Sequence, residues 1–199
     1  MATMRRRGAE PRSSHNLFFA LWPDDALRER LTSAAAHLRK THAPHGRWIN
    51  ARRYHLTLIF LGHHASLPES LVAAALSAGD AVRVPSFDFT FDIAGSFPNR
   101  SIPWWLGSRS HVPGLLALRT ALLDGMRAAD APAREDTDHV AHVTILRDAD
   151  RSLATTPIDP IAWPVHDFAL IASSLGATAS YDVLRRWPLA GAVSSDGAR

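Results

Sequence analysis

Two tetrapeptides of one pattern, His55-Leu56-Thr57-Leu58 and His142-Val143-Thr144-Ile145, are the segments of this sequence best suited to chemistry. On an extended strand, residues two apart share a face, so each motif presents an imidazole and a hydroxyl on one side and an aliphatic pair on the other. An imidazole, with an ordinary pKa of about 6.5, serves as acid or base near neutrality. Two imidazoles flanking a phosphorus atom provide a base for an attacking water and an acid for a departing ribose oxygen. Threonine hydroxyls between them donate to the non-bridging oxygens. Such a set suits the opening of a cyclic phosphodiester, and the chemistry requires no metal.

The other reactive residues are less organised. Among 11 histidines, the pair His63-His64 follows the first motif closely, but adjacent residues on an extended chain point apart and neither cysteine nor a nearby acid stands at ligand spacing. No metal site is expected. His37, His42 and His45 lie around a helix end, where solvated cations suit the dipole. Most of the aromatic residues read as core. Trp48, Phe97 and Trp104 are the candidates for a platform on which an unpaired base stacks.

The elements that must position the motifs are legible from periodicity. A strand over 16–22 ends at Pro23-Asp24-Asp25, a helix-start signature, and a helix to about residue 40 carries Leu27, Leu31, Ala34, Ala35 and Leu38 on one face. A short apolar segment at Trp48-Ile49 precedes a strand over 54–61, closed by Gly62. A helix over 67–78 and an alternating strand over 87–93 follow. The remainder repeats this order loosely, with a strand over 104–108, a helix over 113–127, a strand over 140–146, and two more strands near 168–174 and 181–189. Each set carries one motif strand, the kind of internal repeat that brings distant residues together by symmetry. The fold class expected is α+β, with two similar lobes whose antiparallel-rich sheets face a central cleft, helices outside, and a pseudo-two-fold repeat.

With 199 residues the chain suffices for one compact domain. Residues 1–14 and 191–199 read as flexible tails around a single bilobal domain over 15–190. The apolar fraction of 46% and charged fraction of 21% are those of ordinary globular proteins, which argues against wholesale disorder. The apolar run Leu17-Phe18-Phe19-Ala20-Leu21-Trp22 is too short for a signal core or a membrane span. The absence of cysteine excludes disulfides and thiolate metal sites, and the chain reads as cytoplasmic and monomeric, with no membrane or protein partner implied. Its basic side chains are arginines except for Lys40, and the net charge is only +3. Arginine's planar fork fits phosphate, but a surface excess alone decides little.

With these motifs, the sequence resembles the two-histidine phosphoesterase superfamily and, within it, the RNA 2',3'-cyclic phosphodiesterases, also called 2'-5' RNA ligases. The resemblance spans nearly the whole chain. It runs from Leu17-Phe18-Phe19-Ala20-Leu21-Trp22-Pro23 through Trp48, His55-Leu56-Thr57-Leu58-Ile59-Phe60-Leu61-Gly62 and His142-Val143-Thr144-Ile145-Leu146-Arg147 to the end of a strand at Trp187-Pro188-Leu189. It implies His55 as general acid for the 3' leaving oxygen and His142 as the base that activates water. Thr57, Thr144 and Arg147 would bind the phosphate. Partners so implied are RNA ends or small cyclic-phosphate nucleotides, without a cofactor. Two points sit awkwardly. The family often has proline where Ala141 precedes the second histidine, and Arg147, five residues beyond His142, falls on the opposite strand face unless the strand bulges or ends first. The reaction expected is metal-independent hydrolysis of RNA 2',3'-cyclic phosphate ends to 2'-phosphate, together with reversible 2'-5' ligation. The rivals are hydrolysis of small cyclic nucleotides or ADP-ribose cyclic phosphate, and an RNA-end-binding module without turnover.

Overall fold

The computed structural model describes residues 14–131, 133, 139–175 and 180–191, so both proposed tails fall almost entirely outside the described residues. Strand β1 (Ser14–Leu21) leads through Trp22-Pro23 to helix α1 (Asp25–His42). The Asp24 carboxylate accepts the Leu27 amide at 2.7 Å and so caps α1, and the stripe Leu27, Leu31, Ala35 and Leu38 is buried. The short strand β2 (Arg47–Trp48) and a 3-10 turn at Ala51–Arg53 lead into β3 (Leu56–His64), α2 (Glu69–Ala81), β4 (Phe87–Ser96) and β5 (Ile102–Gly107). Helix α3 (Pro113–Ala128), β6 (His142–Ala149), β7 (Thr156–Val165), β8 (Asp167–Leu175) and β9 (Tyr181–Pro188) complete the order.

The strands form an antiparallel sheet in the order β7-β4-β5-β6-β3-β1-β8-β9, with β2 added on β6. It divides into two four-stranded sets that touch through a single bridge, Leu56 to Val143, between the inner strands β3 and β6. Each set therefore carries one motif on its innermost strand. The two sets are not the two halves of the sequence, because β8 and β9, from the end of the chain, join β1 and β3. Strand β7, absent from the pattern reading, was hidden by Pro157, Pro160 and Pro164. It is an end strand of the sheet, where a missing amide leaves no ladder bond unmade on the open side.

Leu56, Leu58, Val143 and Ile145 are at most 1% exposed and belong to one continuous core with the buried stripes of all three helices. The helices thus lie behind the motifs, and the polar pairs face forward. Helices α2 and α3 approach closely at Gly125, where an added Cβ would sit 2.8 Å from the Ala78 backbone. A second, smaller cluster of Phe18, Ala20, Ala169 and Ile171, with Trp22 and Tyr181 against it, covers the opposite face of the β3 set. Among the described residues no helix is long and apolar enough to cross a membrane.

Candidate active site

The bridge between Leu56 and Val143 decides the site's geometry. In antiparallel pairing, side chains next to a matched pair also match, so His55 stands across from Thr144 and Thr57 across from His142, all on the face away from the core. A local two-fold runs through the bridge, and the four polar groups line one cleft together with Arg47, Ile49, Arg53, Arg147 and Tyr181.

Both imidazoles are held alike. The Nδ1 of His55 lies 2.7 Å from the Arg53 carbonyl oxygen, and that of His142 lies 2.7 Å from the Val140 carbonyl oxygen. A carbonyl only accepts, so each Nδ1 carries the proton, which leaves each Nε2 as the titrating atom of its ring.

Arg147 reaches the cleft because β6 bulges. Trp105 pairs with Thr144 but its neighbour Trp104 pairs with Leu146, which leaves Ile145 as an extra residue. Ile145 and Leu146 are consecutively buried at 0% exposure, and the inserted residue returns Arg147 to the face of Thr144. The same irregularity occurs in β3, where Phe19 pairs with Ile59 and Ala20 with Thr57. By the pseudo-symmetry, Phe60 is the counterpart of Arg147, and it is 43% exposed. Gly62 therefore does not close the strand but lies within it, at φ +123, beside a second irregularity.

The family model described as LigT like Phosphoesterase matches residues 21–105. Escherichia coli LigT in its apo form superposes with a TM-score of 0.70 at 34% identity, over 89% of this chain and 98% of that one. The same protein complexed with 3'-AMP gives 0.67 at 32% identity, over 89% and 99%. The chain belongs to the LigT-like phosphoesterase family, within the two-histidine phosphoesterase superfamily. Thermus thermophilus TT0787 shares the fold at 26% identity with a TM-score of 0.69, over 87% of this chain and 97% of that one. Comparison with curated proteins gave no match.

In this LigT-like cleft the aromatic candidates fare differently. Phe97 sits edge-on to the His142 ring, with centroids 4.9 Å apart, and with Asn99, Ser101 and Pro103 it lines a hollow that continues the cleft past Thr144 and Arg147. Trp104 is no platform: it is 0% exposed, and its indole N–H donates to the Arg151 carbonyl at 2.9 Å. Trp48 alternates with Arg47 and Ile49, which line the cleft, and so faces the other way, where the Arg39 guanidinium covers its ring at 5.6 Å. Alternation could have found Arg47, Ile49 and Arg53, each two residues from another or from His55. Gly46 makes that placement possible: at φ +150, an added Cβ would lie 2.8 Å from the Arg147 carbonyl oxygen. Tyr181 gave no local signal. It reaches the cleft through the pairing of β9 on β8, where its hydroxyl takes a long contact of 3.4 Å from Arg53 and its ring lies 5.1 Å from that guanidinium.

His55 is walled by aromatic rings, with Phe18 stacked at 5.0 Å, Tyr181 at 5.5 Å and Trp22 at 6.0 Å. This burial, aided by the charges of His142, Arg147 and Arg53 and opposed by the bond to Arg53, lowers its pKa to about 4. His142 is lowered too, by burial first and then by Arg147. No carboxylate lines the cleft among the described residues, so the cleft favours neutral imidazoles and welcomes an anion. Among the described residues, no three His, Cys, Asp or Glu side chains gather as metal ligands.

The depressed His55 value has a consequence for stability. In the unfolded chain the ring takes its proton near pH 6.5, in the folded one near about 4, so this contribution is complete above the first value and is lost as pH falls towards the second. The loss attributable to His55 is about 3 kcal/mol between about pH 7 and about pH 4. Urea unfolding at both ends of that window should show His55→Gln losing less stability than wild type by about that amount. Equal losses would mean that the folded ring accepts its proton at an ordinary pH.

Proposed function

We propose that this chain hydrolyses the 2',3'-cyclic phosphate at RNA ends to a 2'-phosphate, without metal, by acid–base catalysis from His55 and His142. The observation that carries this reading is the pair of imidazoles, each with Nδ1 fixed on a carbonyl at 2.7 Å, in one cleft with two threonine hydroxyls and three guanidinium groups. His142 Nε2 takes a proton from water as its oxygen bonds to phosphorus. The bond from phosphorus to O3' breaks, its electron pair stays on O3', and His55 supplies the proton there. Thr57, Thr144 and Arg147 hold the non-bridging oxygens, and the bound anion raises both imidazole pKa values from their depressed levels, which makes the acid form available. The same step with the 5'-hydroxyl of a second RNA in place of water forms a 2'-5' diester as the bond from phosphorus to O3' breaks, which is 2'-5' joining, and its reverse reopens that diester.

A nucleotide ligand is supported by the relatives: E. coli LigT has been crystallised with 3'-AMP, ATP and NADP+. Phe97, beside His142 on the hollow that continues the cleft, is the ring best placed to carry a base. The ATP and NADP+ complexes favour one second reading, hydrolysis of small cyclic-phosphate nucleotides. An RNA bearing a 2',3'-cyclic phosphate, and the matching mononucleotide, incubated with the protein in EDTA separates these readings. Conversion to 2'-phosphate is expected in both cases, faster for RNA. No product from either substrate sinks the reaction, loss in EDTA sinks the metal-free mechanism, and preference for the mononucleotide moves the substrate to the second reading.

A further inference from the structure

Beyond the single bridge from Leu56 to Val143 the inner strands part, and each freed edge is covered in a different way. On β6 the main chain of β2 does it: Arg47 and Trp48 pair with Arg147 and Leu146, and the Ile49 amide donates to the Ile145 carbonyl at 2.9 Å. On β3 two side chains do it. The Nε2 of His139 lies 2.8 Å from the Thr57 carbonyl oxygen, and Arg119 Nε, from α3, donates to the Leu58 carbonyl at 3.0 Å. These are the two carbonyls at the bulge that follows Thr57. Because a carbonyl only accepts, His139 Nε2 is the donor.

His139 stands three residues before His142, so one ring ties the lead-in of the second motif to the backbone of the first. The strand ladder cannot do this, since it has ended at Leu56. We propose that His139 is a positioning residue: by donating to the Thr57 carbonyl it sets the register between the two motifs, and with it the in-line spacing of the two imidazoles, while Arg119 braces the same bulge from behind. The inference rests on the two-histidine phosphodiesterase reading of the cleft. Such spacing matters at the transition state more than in binding, and a misplacement of about 1 Å costs on the order of 10²-fold in rate.

His139→Ala should lower kcat by about 10- to 100-fold and leave KM within about threefold. His139→Gln, whose amide reaches the same carbonyl, should regain most of kcat, and His139→Asn, too short to reach it, should not. The contrast of Gln with Asn serves even if the alanine variant fails to fold. A complex of uridine with vanadate, which mimics the five-coordinate phosphorus, gives a readout without turnover. Its affinity by calorimetry should fall about tenfold or more in the Asn variant and recover in Gln, with affinity for inorganic phosphate held within about threefold. Wild-type kcat and vanadate affinity in the Asn variant, or a Gln variant as impaired as Asn, overturn the proposal. A wild type that binds the vanadate complex but turns over no cyclic phosphate fails the proposed reaction alone. A wild type that does neither overturns both.

Discussion

Alanine at His55 or at His142 is expected to cut kcat on a 2',3'-cyclic-phosphate RNA by about 10²–10⁴-fold while leaving the fold intact. Both rings face the cleft, and the main core beneath the motifs is built on the apolar partners Leu56 and Val143. Because both protons move in the same step, the double variant should be little slower than the worse single one. The pH profile assigns the roles. Wild type should give a bell, and removing the base should erase its acid limb, whereas removing the acid should erase its alkaline limb. With the division proposed above, His142→Ala loses the acid limb and His55→Ala the alkaline one. An exchange of limbs reverses the division, and survival of both limbs in both variants ends the paired mechanism.

The motifs could be read from the sequence because their chemistry and their periodicity coincide: an alternating His-Thr pair on one face requires the aliphatic pair on the other, and Leu56, Leu58, Val143 and Ile145 are indeed core. The helices were legible for the same reason, as at Leu27, Leu31, Ala35 and Leu38. What escaped were features set by pairing. The bulge at Ile145 could be raised from the offset of Arg147 but not placed, since Ile145 and Leu146 are as apolar as any strand residue, and pairing with β5 decides which face Arg147 occupies. Strand β7 escaped because proline argues against a strand, and only its place at the sheet end removes the objection. Trp104 and Trp105 show the limit at single-residue scale. Trp104 is wholly enclosed, and the neighbouring Trp105, though its ring centroid lies 6.5 Å from that of His142, is buried at 6% exposure, so neither offers an open face to a base.

Arg147 is where that hidden bulge meets the chemistry, and its loss should rank next to that of the histidines. Of the two pseudo-equivalent positions it is the cationic one, with Phe60 at the other, and it lines the cleft. Arg147→Gln should lower kcat/KM by about 10²–10³-fold, the cost of removing one charged donor from a developing anion. Its charge also opposes protonation of both imidazoles. Removing a cation stabilises each imidazolium, so both pKa values rise and both limbs of the kcat/KM profile move to higher pH. Arg147→Lys separates the two effects: the charge remains and the limbs stay near their wild-type positions, but the planar fork is gone and most of the rate should go with it. Profiles for the three proteins over a common pH range test this directly. If the glutamine variant keeps both the rate and the limbs of wild type, Arg147 neither holds the phosphate nor sets the field at the imidazoles, and Arg47 and Arg53 must carry the anion between them.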